Sequence, residues 1–114
     1  MTLCVQEGPV ILIGYEYRLQ LEAEADLFPE GAAFAGQLRS TIAATSVLAV
    51  LSTAAGSILR LDDRTLEIVL TPTITSSLMA GGVVLDLVRT DLTPDRHLGF
   101  LLEIPVVLPV TRGL

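Results

Sequence analysis

The sequence predicts an all-β fold: a single antiparallel β-sandwich, immunoglobulin-like in outline, with about seven strands. Three observations predict it. From Tyr17 to Arg112, short segments alternate apolar and polar residues with a period of two, the pattern of strands with one buried face. Turn-forming clusters such as Phe28-Pro29-Glu30-Gly31 and Asp62-Asp63-Arg64 separate these segments at short intervals. A chain of 114 residues is also long enough to bury a core of its own as one domain.

Val10-Ile11-Leu12-Ile13 is apolar without alternation, which fits a strand buried on both faces or a segment that docks on a partner. Tyr17 to Ala25 alternates cleanly. Tyr17, Leu19, Leu21, Ala23 and Ala25 share one face; Arg18, Gln20, Glu22 and Glu24 share the other. In the next segment Phe34, Gly36 and Leu38 oppose Gln37 and Arg39. Val47 to Thr53 reads as a strand on its β-branched content, although Ala43 to Leu51 could form a short helix. Ile58 to Leu61, the polar turn at Asp62-Asp63-Arg64, and Thr65 to Leu70 form a hairpin with Leu66, Ile68 and Leu70 inward. Pro72 to Ala80 breaks the pattern as a crossing connection, with one helical turn expected around Ser76 to Met79. Gly81-Gly82 gives backbone freedom where the next strand starts. That strand, Val83 to Arg89, sets Val83, Leu85 and Leu87 against Asp86 and Val88. After a polar loop at Thr90 to His97, Phe100 to Ile104 and Val106 to Val110 make one strand or two. Pro105 and Pro109 lack an N–H donor and belong at an edge or bulge. The expected organisation is an amino-terminal docking segment at 1–16 and a sandwich at 17–112.

Hydrophobic residues make up 51% of the chain and the mean hydropathy is +0.64, so apolar surface is expected to be covered by neighbouring subunits or by lipid. Two uncharged stretches bear on the second option: 20 residues at Ser40–Leu59 and 18 at Ile68–Leu85. The first carries seven Ser or Thr and Gly56; the second carries Pro72, five Ser or Thr and Gly81-Gly82. Neither has the flanking belt of a membrane span, and no membrane partner is expected. The net charge of −6 comes from seven Arg, with no Lys, against 13 acidic residues. Scattered Arg and few aromatics exclude a nucleic-acid surface. The start Met1-Thr2-Leu3-Cys4 has neither a basic region nor an apolar run, so the expectation is synthesis and retention in the cytoplasm.

Reactive groups are few. Single Cys4 reads as a small buried residue. Asp62 and Asp63 read as a solvated turn. Asp91, Thr93 and Asp95 only echo a calcium loop, lacking its Gly and distal Glu. His97 stands alone and cannot build a zinc site without thiolates. Tyr15 and Tyr17 could stack a sugar, but two aromatics two apart read more readily as core and rim. No cofactor, metal or small-molecule substrate is expected, and no enzyme.

Gly36-Gln37-Leu38-Arg39 follows a Pro-Gly turn. Ile58-Leu59-Arg60-Leu61 leads through Asp62-Asp63 to Leu66-Glu67-Ile68-Val69-Leu70-Thr71. A Thr-rich connection closes at Leu78 and Gly81, and Val84-Leu85-Asp86-Leu87-Val88-Arg89 precedes a polar turn. The chain then ends in an apolar strand leading to Val110-Thr111-Arg112. In this order of segments the chain resembles the small immunoglobulin-like β-sandwich proteins of tailed-bacteriophage virions, including the amino-terminal module of upper-baseplate proteins. The likeness covers residues 17–112. The resemblance implies a structural, non-catalytic role in several copies, located in the virion and made in the host cytoplasm, with other virion structural proteins as partners and homo-oligomers expected. The alternatives are a capsid decoration protein or a cellular module that binds carbohydrate or peptide. On this reading the protein interface comprises Val10, Ile11, Leu12 and Ile13 at one end of the chain and Val106, Val107 and Leu108 at the other.

Overall fold

The computed structural model describes residues 5–7 and 10–111; Cys4 and Arg112 lie outside the described residues. Nine strands are present among the described residues, against the seven expected. They are β1 (Val5–Glu7), β2 (Ile11–Leu12), β3 (Tyr17–Glu22), β4 (Phe34–Arg39), β5 (Ala49–Ser52), β6 (Ile58–Asp62), β7 (Thr65–Leu70), β8 (Gly81–Arg89) and β9 (Arg96–Val107), with one short helix, α1 (Pro72–Ser76). One sheet runs β1-β9-β8-β4-β5, with β2 also paired to β9; the other runs β3-β7-β6. In the immunoglobulin scheme the smaller sheet follows strands B, E and D, and the path β9-β8-β4-β5 follows G, F, C and C′. The fold is therefore an immunoglobulin-like β-sandwich.

Period-two alternation builds the core. Phe34, Gly36 and Leu38 of β4, Val83, Leu85 and Leu87 of β8, and Leu102, Ile104 and Val106 of β9 all point inward. They meet Tyr17 and Leu21 of β3 and Leu66, Ile68 and Leu70 of β7 from the facing sheet. Burial pushes the Tyr17 phenol up to about 12. Phe28 leaves the turn after β3 and packs edge-on against Phe34, with ring centroids 5.6 Å apart. Gly36 is required by packing: a Cβ there would lie 2.6 Å from the backbone oxygen of Asp86 and 2.6 Å from Leu87. The β4–β8 contact closes to that spacing only because β4 has no side chain at this point.

Four expectations are corrected. First, β1 and β2 pair with β9 in parallel, so the larger sheet is not purely antiparallel. Second, the last segment is a single strand, one of the two expected options, but its bounds differ: β9 starts at Arg96, inside the expected loop, and stops at Val107, short of Val110. Pro105 sits where its outer partner is interrupted: β1 ends opposite Glu103 and β2 resumes opposite Val106. A residue without an N–H is tolerated at such a gap. Third, β3 stops at Glu22, so the wet-and-dry alternation to Ala25 continues past the strand. Fourth, the helical turn lies at Pro72–Ser76 rather than Ser76 to Met79. Thr71 caps it by accepting from the Ile74 N–H, and Pro72 occupies the first turn, where a missing donor costs nothing.

Thr75 of α1 is fully buried, and its hydroxyl joins two loops. It accepts from the Gly14 N–H (3.1 Å) and donates to the Tyr15 carbonyl (2.9 Å). The β2–β3 turn is thereby fixed under the β7–β8 connection. The two uncharged stretches fold into loops, strands and α1, and among the described residues no helix is long and apolar enough to cross a membrane.

Candidate interaction face

The two outer faces of the sandwich differ in chemistry. On the smaller sheet β3 presents Arg18, Gln20 and Glu22, and Arg18 pairs with Glu67 of β7 at 2.7 Å and with Glu16 at 3.3 Å. Leu59 and Leu61 of β6 are the exposed large apolar side chains of that sheet. Such a face is already solvated and paired within the chain. The larger sheet turns outward Val50 of β5, Gln37 and Arg39 of β4, Val84, Asp86 and Val88 of β8, and Leu101, Glu103, Pro105 and Val107 of β9. It mixes apolar side chains with few charges, as protein-contacting surfaces do.

Arg39 shapes this face. Its guanidinium donates to the carbonyls of Ala44 (2.9 Å) and Thr45 (3.0 Å) and to Gln37 Oε1 (2.7 Å). The β4–β5 loop is thus drawn back over the sheet, leaving Ile42 69% exposed beside an open trough of about 700 Å³. Ala43, Gly82, Val84, Glu103 and Pro105 line that trough, and a smaller hollow of about 140 Å³ continues it past Gln37 and Asp86. At the β5 margin, Ser57 Oγ accepts from the Ser52 N–H (2.9 Å) and donates to the Ser52 carbonyl (3.3 Å). A side chain takes up groups that an incoming strand would otherwise use, which disfavours strand addition there.

The interface expected from sequence divides in two. Ile11 and Val106 belong to the chain's own core, at 0% and 2% exposure, so they are not docking side chains. Ile13 is half-buried against that core. Val10, Leu12, Val107 and Leu108 are exposed, at 46%, 43%, 45% and 50%. Leu12 and Val107 are register partners, so these residues form one apolar corner where β2 meets the end of β9. Sequence reasoning missed Arg39, Ile42, Val84 and Glu103, because their proximity depends on the β4–β8–β9 register. The outward-facing Val84 within β8 was the available clue.

The remaining candidates are occupied locally. Three residues, Leu98, Gly99 and Phe100, stand opposite Leu87 alone, and Gly99 adopts φ +85° at this bulge. The bulge sets His97 against Asp86, with Nε2 2.8 Å from Oδ2, while Nδ1 accepts from the Gly99 N–H at 2.8 Å. Both ring nitrogens are thus engaged within the chain. Asp62 accepts from the Arg64 N–H and Asp63 pairs with Arg60, which separates the adjacent carboxylates. Asp91 is held by Arg89 and by the Ala33 N–H. Among the described residues no three His, Cys, Asp or Glu side chains gather to hold a metal ion. Tyr17 is buried, while Tyr15 donates its hydroxyl to the Thr111 carbonyl at 2.6 Å, so the two rings do not share a stacking surface. No protein-family model matches this sequence, and no curated protein matches it.

Proposed function

We propose that this chain is a non-enzymatic structural component of a tailed-bacteriophage virion, at the baseplate, neck or tail-fibre attachment. It acts there as a rigid, multi-copy adaptor between neighbouring virion proteins. One observation carries the reading: the apolar corner of Val10, Leu12, Val107 and Leu108, held on a continuous sheet and left in solvent. Covering the exposed half of four such side chains is worth roughly 3–6 kcal/mol, a useful fraction of a specific contact. The virion setting rests on the resemblance of residues 17–112 to sandwich modules of phage particles, and the immunoglobulin-like strand order is compatible with it.

The test is incorporation into particles. The double variant Leu12→Gln with Val107→Thr alters only exposed side chains, so its isolated form should melt as the wild type does. Quantitative mass spectrometry of purified particles should find the wild-type chain at fixed stoichiometry and the variant depleted. Absence of the wild-type chain from particles, or undiminished incorporation of the variant, would contradict the proposal. Removal of residues 1–14 is a poorer test, since it also takes Ile11 from the core.

A further inference from the structure

We infer that the outer face of the larger sheet packs against the same face of a second copy, about a two-fold axis running along β8. The inference starts from one row of side chains. Arg39 on β4 is the register partner of Val84 on β8, and Val84 is the register partner of Glu103 on β9. On the far side, Glu7 of β1 is the backbone register partner of Glu103. Adjacent strands lie about 4.8 Å apart, so Arg39 and Glu103 flank Val84 with their backbones about 10 Å apart. Neither forms an ion pair among the described residues.

This arrangement is self-complementary for one axis direction. Rotation about an axis parallel to β8, above Val84, carries Arg39 of one copy over Glu103 of the other. The same operation places the second Arg39 over the first Glu103, with Val84 meeting Val84 between the two pairs. An axis across the strands would instead set Arg39 on Arg39 and Glu103 on Glu103. The charges therefore select both the partner and its orientation. Sandwich sheets stack about 10 Å apart and nearly aligned, which suits the selected axis. Ile42, Val50, Leu101 and Pro105 supply apolar contact around the row. Asp86 also lies near the axis, but its bond to His97 draws the carboxylate toward β9 and away from its symmetry mate.

The face measures five strands by about six residues, or roughly 500 Å² in outline per copy. The total of about 1,000 Å² is at the lower limit for a specific interface, so the association is reversible and concentration-dependent. It stands apart from the function proposed above, which uses the β2–β9 corner, and either can fail without the other.

Sedimentation velocity at low salt tests it with Arg39→Glu and Glu103→Arg. The wild type should shift from monomer to dimer as concentration rises, and each variant alone should associate at least about tenfold more weakly. An equimolar mixture of the two variants should restore dimers, because one copy then carries acid at both positions and its partner carries base at both. A monomeric wild type at every concentration overturns the inference. So does a Glu103→Arg variant that dimerises as tightly as the wild type, or a mixture of folded variants that fails to pair. If Arg39→Glu loses its β-sheet circular dichroism through loss of the loop bonds, Glu103→Arg alone decides, since that side chain supports no fold contact described above.

Discussion

Thr75 shows how one hydroxyl can hold two parts of the chain at once. It satisfies the Gly14 N–H and the Tyr15 carbonyl in a fully buried position, and both would be left without their partner by removal of the oxygen. Thr75→Val keeps the shape and loses the bonds, so chemical denaturation should show a loss of about 1–3 kcal/mol. Thr75→Ser should retain most of the stability. Gly36 marks a different constraint, one of space. Gly36→Ala would drive a methyl group into the Asp86 backbone and should cost about 1–3 kcal/mol by the same assay, more than helix or strand propensity would suggest. Neither role was legible in the sequence. Thr75 sits in a Thr-rich run where every hydroxyl looks alike, and Gly36 reads simply as an inward position of an alternating strand.

At the scale of elements, the legible part is what period two can show. The alternation in β4 and β8 assigned inward and outward faces correctly, because each strand has one buried face and no second pattern competes; in β7, Leu66, Ile68 and Leu70 face inward as expected, but Thr65 and Val69 on the other side are buried as well. What stayed hidden depends on partners distant in sequence. Parallel pairing of β2 with β9 joins residue 11 to residue 106, and nothing local to Val10-Ile11-Leu12-Ile13 specifies it. As a result a segment read as a docking arm is half core. Ile11→Ala should therefore destabilise the isolated protein by about 2–5 kcal/mol in thermal or urea unfolding, whereas Leu12→Gln should be nearly silent. The loop after β8 is pinned by charge instead. Hydrogen bonds from the Arg89 side chain, with help from the Ala33 N–H, push the Asp91 carboxyl down to about 2 from an ordinary 3.8. Between those two values the unfolded chain binds more protons than the folded one, so stability rises with pH across that window. The contribution is complete above about pH 4 and is lost as pH falls through about 2. Asp91→Asn should flatten that acid limb in pH-resolved melting curves without changing the limb above pH 5.

The whole molecule is a block with two unlike outer faces. The smaller sheet faces water with Arg18 already matched to Glu16 and Glu67. The larger sheet presents Val84, Leu101, Pro105 and Val107, an unmatched Arg39–Glu103 row among the described residues, and the apolar corner at β2. The high apolar content of the sequence raised the expectation of a covered surface, and the strand order shows on which side these outward apolar residues gather. Hydroxyl-radical footprinting, read by mass spectrometry on the associated and the dilute protein, tests this polarity most directly. Protection on association should fall on Val84 and Leu101, with Leu59 and Leu61 reacting equally in both states. Protection confined to Leu59 and Leu61, or none at any of these positions in an associated sample, would contradict the account.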